Sequence, residues 1–210
     1  MSTISTDGLA LIDDGEHKPS LWMPRFDREV TEQGILRHPV ESIYSVCDVT
    51  ENGAYLRHEF VLGRLGEIWT MAEQGDELFD LAVEYISRDL LNRILGNSDN
   101  HGRNISIIRD GGKLRLAPIY DLAPMVLDPD GITRVTKWKH EKAGAPDWRQ
   151  ACSSLADDAS GDLYFDALRS QAQSFRALPD LLVNLPDSVR NAKSIPLNNL
   201  DARLKEWGLI

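Results

Sequence analysis

The chain has 210 residues, enough for one generous domain or a two-lobed one. Hydrophobic residues make up 42% and charged residues 27%, the balance of a globular protein with a sizeable core. Lys and Arg number 23 against 33 Asp and Glu, so the formal net charge is -10. That argues against direct nucleic-acid binding, which calls for a basic face. It still admits a phosphate ligand, because metal ions held by carboxylates can supply positive charge. Cys47 and Cys152 are too few and too far apart for a disulfide scaffold or a cysteine zinc site. No apolar run approaches the roughly 18 residues of a membrane span. Met1 to Gly8 lacks the pattern of a signal peptide, so the expected location is cytoplasmic.

Residues 1–20 are read as a polar N-terminal segment. Leu21 to Phe26 predicts a short strand ending in Asp27-Arg28-Glu29, and Gln33-Gly34 predicts a turn. Pro39 to Cys47 is compatible with a short helix. His58 to Ala72 has helical spacing, with Phe60, Val61, Leu65, Ile68 and Trp69 as its apolar positions. Asp76 is a candidate N-cap for a longer helix over Glu77 to Leu95. The apolar stripe of that helix is wide enough for burial, and Gly96 ends it.

A polar loop follows, Asn97 to Asn104. Ile105 to Ile108 and Lys113 to Leu116 flank Asp110-Gly111-Gly112, the clearest hairpin signal in the chain. Residues 128–147 read as loop-rich. From Asp147 onward the pattern is helical, interrupted at Pro179, Pro186 and Pro196.

The informative segment runs from 97 to 121. A hairpin returns the chain close to where it left, so Asp121 is expected near Asn104, and both near Asp99. Two carboxylates and an amide at the end of a rigid helix make a hard, oxygen-rich site of the kind magnesium prefers. Phosphoryl transfer uses such a set. One Asp takes the proton of the attacking hydroxyl, while an Asn and a second Asp hold the metal ions. Asp99 and Asn104 have four residues between them, as the catalytic Asp and metal-binding Asn of protein kinases do, and Asp121 follows a strand–turn–strand.

Ser98-Asp99-Asn100-His101-Gly102-Arg103-Asn104, together with Leu116-Ala117-Pro118-Ile119-Tyr120-Asp121-Leu122-Ala123-Pro124, resembles the catalytic core of HipA-type serine/threonine kinases, the toxins of bacterial toxin–antitoxin systems. Arg25-Phe26-Asp27-Arg28 resembles the segment after that family's hinge strand, except that Pro24 stands where the family has Glu. The resemblance covers Leu21 to Pro124. It implies an α+β, mostly helical, protein-kinase-like C-lobe with a small β-hairpin at the active site, extending over residues 21–210. By position it implies Asp99 as catalytic base, with Asn104 and Asp121 as magnesium ligands. Phe26 would offer its backbone to adenine, and Asp27 would approach the ribose. His101 is read as a brace for the loop backbone. The implied cofactors are ATP and Mg2+. The implied protein substrate is an aminoacyl-tRNA synthetase, and the implied partner is an antitoxin.

A kinase also needs a Gly-rich loop and an N-lobe lysine. Lys18 is the only lysine before Asp99, and Gly8 and Gly15 are isolated. The expectation is therefore a lobe that lacks these parts, with a separately encoded N-lobe as a candidate partner. The alternative reading is a non-catalytic lobe remnant or interaction module. A third is a metal-dependent phosphohydrolase using the same carboxylates.

Overall fold

The structure, a computed structural model, describes residues 8–142, 145–155 and 158–210. It opens with two separate antiparallel ribbons. Strand β1 (Ala10–Ile12) pairs with β2 (Ser20–Trp22), Leu11 opposite Leu21. The boundary drawn at residue 20 therefore runs through a hairpin. The expected strand over Leu21 to Phe26 stops at Trp22, because Pro24 has no N–H to continue a ladder. Strands β3 (Arg28–Thr31) and β4 (Gly34–Arg37) form the second ribbon around the turn read at Gln33-Gly34.

Strand β5 (Val40–Ser42) and helix α1 (Ile43–Val46) replace the expected single helix over Pro39 to Cys47. Val40 pairs with Ile108, and Ser42 turns the chain by accepting from the Ser45 N–H. Strand β6 (Leu56–Arg57) leads into α2 (His58–Met71), as the spacing of apolar residues predicts. A single 3-10 turn, Gly75–Glu77, precedes α3 (Leu78–Leu95). Asp76 is not the N-cap. Glu77 holds that position and caps with no side chain, since its carboxylate is taken by Lys113 and Gln74.

Strands β7 (Ser106–Asp110) and β8 (Lys113–Leu116) form the expected hairpin and extend β5 into a three-stranded sheet of order β5-β7-β8. The loop-rich stretch holds short pieces of strand. Strand β9 (Thr136–Lys137) pairs in parallel with β6, and β10 (Glu141–Lys142) pairs with β11 (Ala145–Pro146). The rest is helical: α4 (Trp148–Ser153), capped by Asp147, then α5 (Asp158–Phe175), α6 (Asp187–Arg190) and α7 (Leu200–Glu206). One core joins α1, α2, α3, the β7–β8 hairpin and the C-terminal helices, with Leu65, Leu90, Ile94, Leu168 and Leu204 at its centre. No helix among the described residues is long and apolar enough to cross a membrane.

Candidate active site

The site begins where α3 ends. Gly96 adopts a left-handed φ of 71°, open to glycine without a Cβ clash, and turns the chain into the loop. The loop is closed by its own polar groups. The Asp99 carbonyl accepts from the His101 N–H and from Asn104 Nδ2, each at 3.0 Å. The Asn104 N–H donates to the His101 carbonyl at 2.9 Å. His101 Nδ1 accepts from the Arg103 N–H at 3.2 Å, which leaves the ring proton on Nε2, 3.7 Å from Asp99 Oδ1. The His101 ring stacks on Tyr44, centroids 6.0 Å apart. Asp99 and Asn104 are thus in direct contact, and His101 ties the loop to itself and to α1.

Tyr120 brings up the next segment. Its hydroxyl donates to the Arg103 carbonyl at 2.5 Å and accepts from Ser106 Oγ at 2.6 Å. Burial pushes the Tyr120 phenol up, and the neighbouring Asp121 carboxylate adds to the rise. Asp121 itself is exposed, and its φ of 55° is one that Asp tolerates better than most residues. Among the described residues its carboxylate has no hydrogen-bond or ion-pair partner, so it meets the loop through Tyr120 and not by direct contact.

Phe26 stacks on Tyr120 with ring centroids 5.6 Å apart. Asp27 points its carboxylate at its own neighbours, with Arg25 donating twice at 2.7 and 2.6 Å and Arg28 lying 3.7 Å away. The Arg25 hydrogen bonds hold the Asp27 carboxyl below its usual range. Of the residues named from sequence, Asp99, Asn104 and His101 share one loop, Asp121 and Phe26 flank Tyr120, and Asp27 is engaged elsewhere.

Among the described residues no three His, Cys, Asp or Glu side chains form a metal cluster. The donor set named from sequence is the Asp121 carboxylate and the Asn104 amide. It fits magnesium, which takes one or two carboxylates and completes its shell with phosphate and water. The crevice between the loop and Tyr120, lined by Arg88, Asn92, Asn97 and Asn104, has room for about 10 Å3, no more than a water.

Two polar networks were not read from sequence. Arg88, Asp89 and Asn92 interrupt the apolar stripe of α3 and are all buried. Asp89 accepts from Arg134 Nη1 at 2.9 Å and from Trp138 Nε1 at 2.8 Å, and Asn100 Nδ2 lies 3.4 Å away. The available signal was three polar residues inside a helix otherwise apolar enough to be buried.

The fold is similar to that of a chain in the Shewanella oneidensis MR-1 toxin–antitoxin complex of HipA, HipB and operator DNA. The TM-score is 0.64 at 19% identity, over 93% of this chain and 50% of that one. The chain thus spans half the length of that neighbour, and the likeness is one of fold. Because that complex contains operator DNA, the expectation of no direct nucleic-acid contact finds no support there. No curated protein matches the sequence. The family model of the HipA-like C-terminal domain matches residues 3–177, and the chain belongs to that family.

Proposed function

We infer that this chain is the catalytic lobe of a HipA-like, protein-kinase-like serine/threonine kinase, transferring the γ-phosphoryl of ATP to a protein hydroxyl. The observation that carries this reading is the contact of Asp99 with Asn104 across four intervening residues, with Asp121 delivered after a hairpin. Asp99 would orient the hydroxyl and accept its proton. Asn104 uses Nδ2 on the Asp99 carbonyl, which leaves Oδ1 for a magnesium ion. Asp121 would supply the second protein oxygen. Magnesium held there neutralises charge on the nucleotide phosphates. An N-lobe would supply the other wall of the nucleotide site, and an aminoacyl-tRNA synthetase is the substrate class that family resemblance suggests.

A second reading, a non-catalytic module that binds an antitoxin or a second lobe, is favoured by one observation. The ribbons β1–β2 and β3–β4 expose Leu11, Leu21, Trp22, Val30 and Ile35.

Calorimetry with ATP and Mg2+, and radiolabel transfer to the chain itself or to lysate proteins, separate the two. Asp99→Ala should lower transfer by about 100-fold or more while leaving nucleotide heat in place. Asp121→Asn should keep the backbone, since Asn tolerates the same φ, and lose the Mg2+-dependent heat. A wild-type chain with neither nucleotide heat nor transfer sinks the kinase reading. Unchanged binding in Asp121→Asn sinks the metal assignment.

A further inference from the structure

The C-terminal half of α3 carries buried polar side chains that the proposed chemistry does not use. Such groups cost stability unless each is bonded. Here their partners are the segments that carry the site. Arg88 Nη1 donates to the Ala117 carbonyl at 2.6 Å, four residues before Asp121. Asn92, one turn along the same face, donates from Nδ2 to the Arg88 carbonyl at 2.8 Å. Asn92 Oδ1 accepts from Asn97 Nδ2 at 2.7 Å. Asn97 Oδ1 accepts from the Asp99 N–H at 3.1 Å.

The direction of this chain of bonds is fixed at both ends. The Arg88 carbonyl can only accept, so Asn92 must turn its Nδ2 toward it. The Asp99 N–H can only donate, so Asn97 must turn its Oδ1 toward it. The two amides then meet donor to acceptor, with no alternative orientation that satisfies every group.

We propose that Asn92 and Asn97 are positioning residues: a one-way amide relay from the Arg88 carbonyl to the Asp99 N–H that sets where Asp99 stands relative to α3. Asn104 is carried with it, because its Nδ2 bonds the Asp99 carbonyl. Arg88 holds the Asp121 segment from the preceding turn of the same helix. Three site residues are therefore referenced to one rigid element. This rests on the reading of Asp99 and Asn104 as the reacting pair only in its kinetic consequence; the relay itself stands on geometry.

The test compares Asn92→Leu, of similar size with no acceptor, with Asn92→Asp, which keeps an acceptor for Asn97 Nδ2. Hydrogen exchange is read at each amide of the full chain. In Asn92→Leu the Asp99 amide should exchange about 10-fold faster or more, while α2 and α5 stay within about twofold. Asn92→Asp keeps the acceptor for Asn97 but loses the donor to the Arg88 carbonyl, so its Asp99 protection should lie between that of Asn92→Leu and the wild type. If Asn92→Leu fails to fold, Asn97→Ser serves, since Ser can still accept from the Asp99 N–H but cannot span to Asn92. There the Asp99 amide should lose protection to an intermediate degree.

Phosphoryl transfer adds a second readout. In Asn92→Leu, kcat should fall about 10- to 100-fold with KM for Mg-ATP within about threefold, the signature of a displaced reacting group. An unchanged Asp99 amide overturns the relay, and so does protection lost equally across α2 and α5. Absence of transfer in the wild type removes the kinase reading alone, and the exchange data still decide the relay.

Discussion

His58 shows how much a single buried residue shapes the pH response. It has no exposed surface. Its Nδ1 meets the Tyr85 hydroxyl at 2.9 Å, and its ring stacks on Trp138 with centroids 4.6 Å apart. Its Nε2 lies 3.4 Å from Arg134 Nη2 and 3.6 Å from Asp89 Oδ2. Burial holds the imidazole down to about 4, and the Arg134 charge adds to the burial effect while Asp89 opposes it. Asp89 is pushed the other way: burial alone would raise it, but Arg134, His58 and the Trp138 N–H together bring it below its usual value. The unfolded chain takes up the His58 proton near pH 6.5, and the folded chain does so only near 4. Stability contributed by the neutral ring is therefore complete above pH 6.5 and is lost as pH falls toward 4, by about 3 kcal/mol in all. The lowered carboxylates of Asp14, Asp27, Glu77, Asp89 and Asp201 act only below about pH 4.5, below the window in which His58 acts. Melting temperatures measured from pH 7.5 to 4.5 should fall for the wild type and fall much less for His58→Gln. Parallel curves for the two proteins would exclude His58 as the source.

At the scale of elements, the loop is seated by a contact that leaves no room for a side chain. A Cβ built on Gly102 would lie 2.2 Å from Tyr44 Cδ1. Tyr44 cannot yield easily: it is buried at 2% exposure, its hydroxyl donates to the Ala54 carbonyl at 2.9 Å, and its N–H donates to the Gly102 carbonyl at 3.0 Å. Gly102→Ala should therefore cost about 1–3 kcal/mol in urea unfolding. Gly63, exposed inside α2 with nothing near its missing Cβ, is the contrast, and Gly63→Ala should gain about 0.5–1 kcal/mol. Equal effects of the two substitutions would show that the loop is not seated on Tyr44. The same division runs through what the sequence made legible. Helices α2 and α3 and the β7–β8 hairpin follow local periods or a Gly-containing turn, so they read directly. The β3–β4 ribbon does not, because it buries neither face and its apolar residues follow no alternation. Asp99 and Asn104 are close in sequence, so their pairing was readable. The Arg134–Asp89 pair joins residues 45 positions apart, and the Asn92–Asn97 bond sits inside a pattern that registers only apolar positions.

The whole molecule divides into a cooperative core and two ribbons that lean on it lightly. Among the described residues, every buried hydrophobic one lies at Ile43 or beyond. In β1 to β4 every residue is exposed, Leu11 at 70%, Trp22 at 63% and Val30 at 85%. Two-stranded ribbons are marginal in water without a face to bury, and these leave large apolar side chains uncovered. Their ties to the rest include the Phe26–Tyr120 stack and the approach of His38 Nδ1 to Asp110 Oδ1 at 3.7 Å. A chain beginning at His38 should therefore keep the core, melting within about 4 °C of the full chain, as expected for a loss near 1 kcal/mol in a protein of this size. In the full chain, limited proteolysis should cut between residues 8 and 37 before it reaches α2 or α3. The shortened chain should also bind less of an apolar dye such as ANS, because it lacks the exposed Leu11, Leu21, Trp22 and Val30. A melting temperature lowered by 10 °C or more would place the ribbons inside the cooperative unit, and the exposed apolar surface would then have to be a cost the fold carries for its own stability rather than a face kept open for a partner.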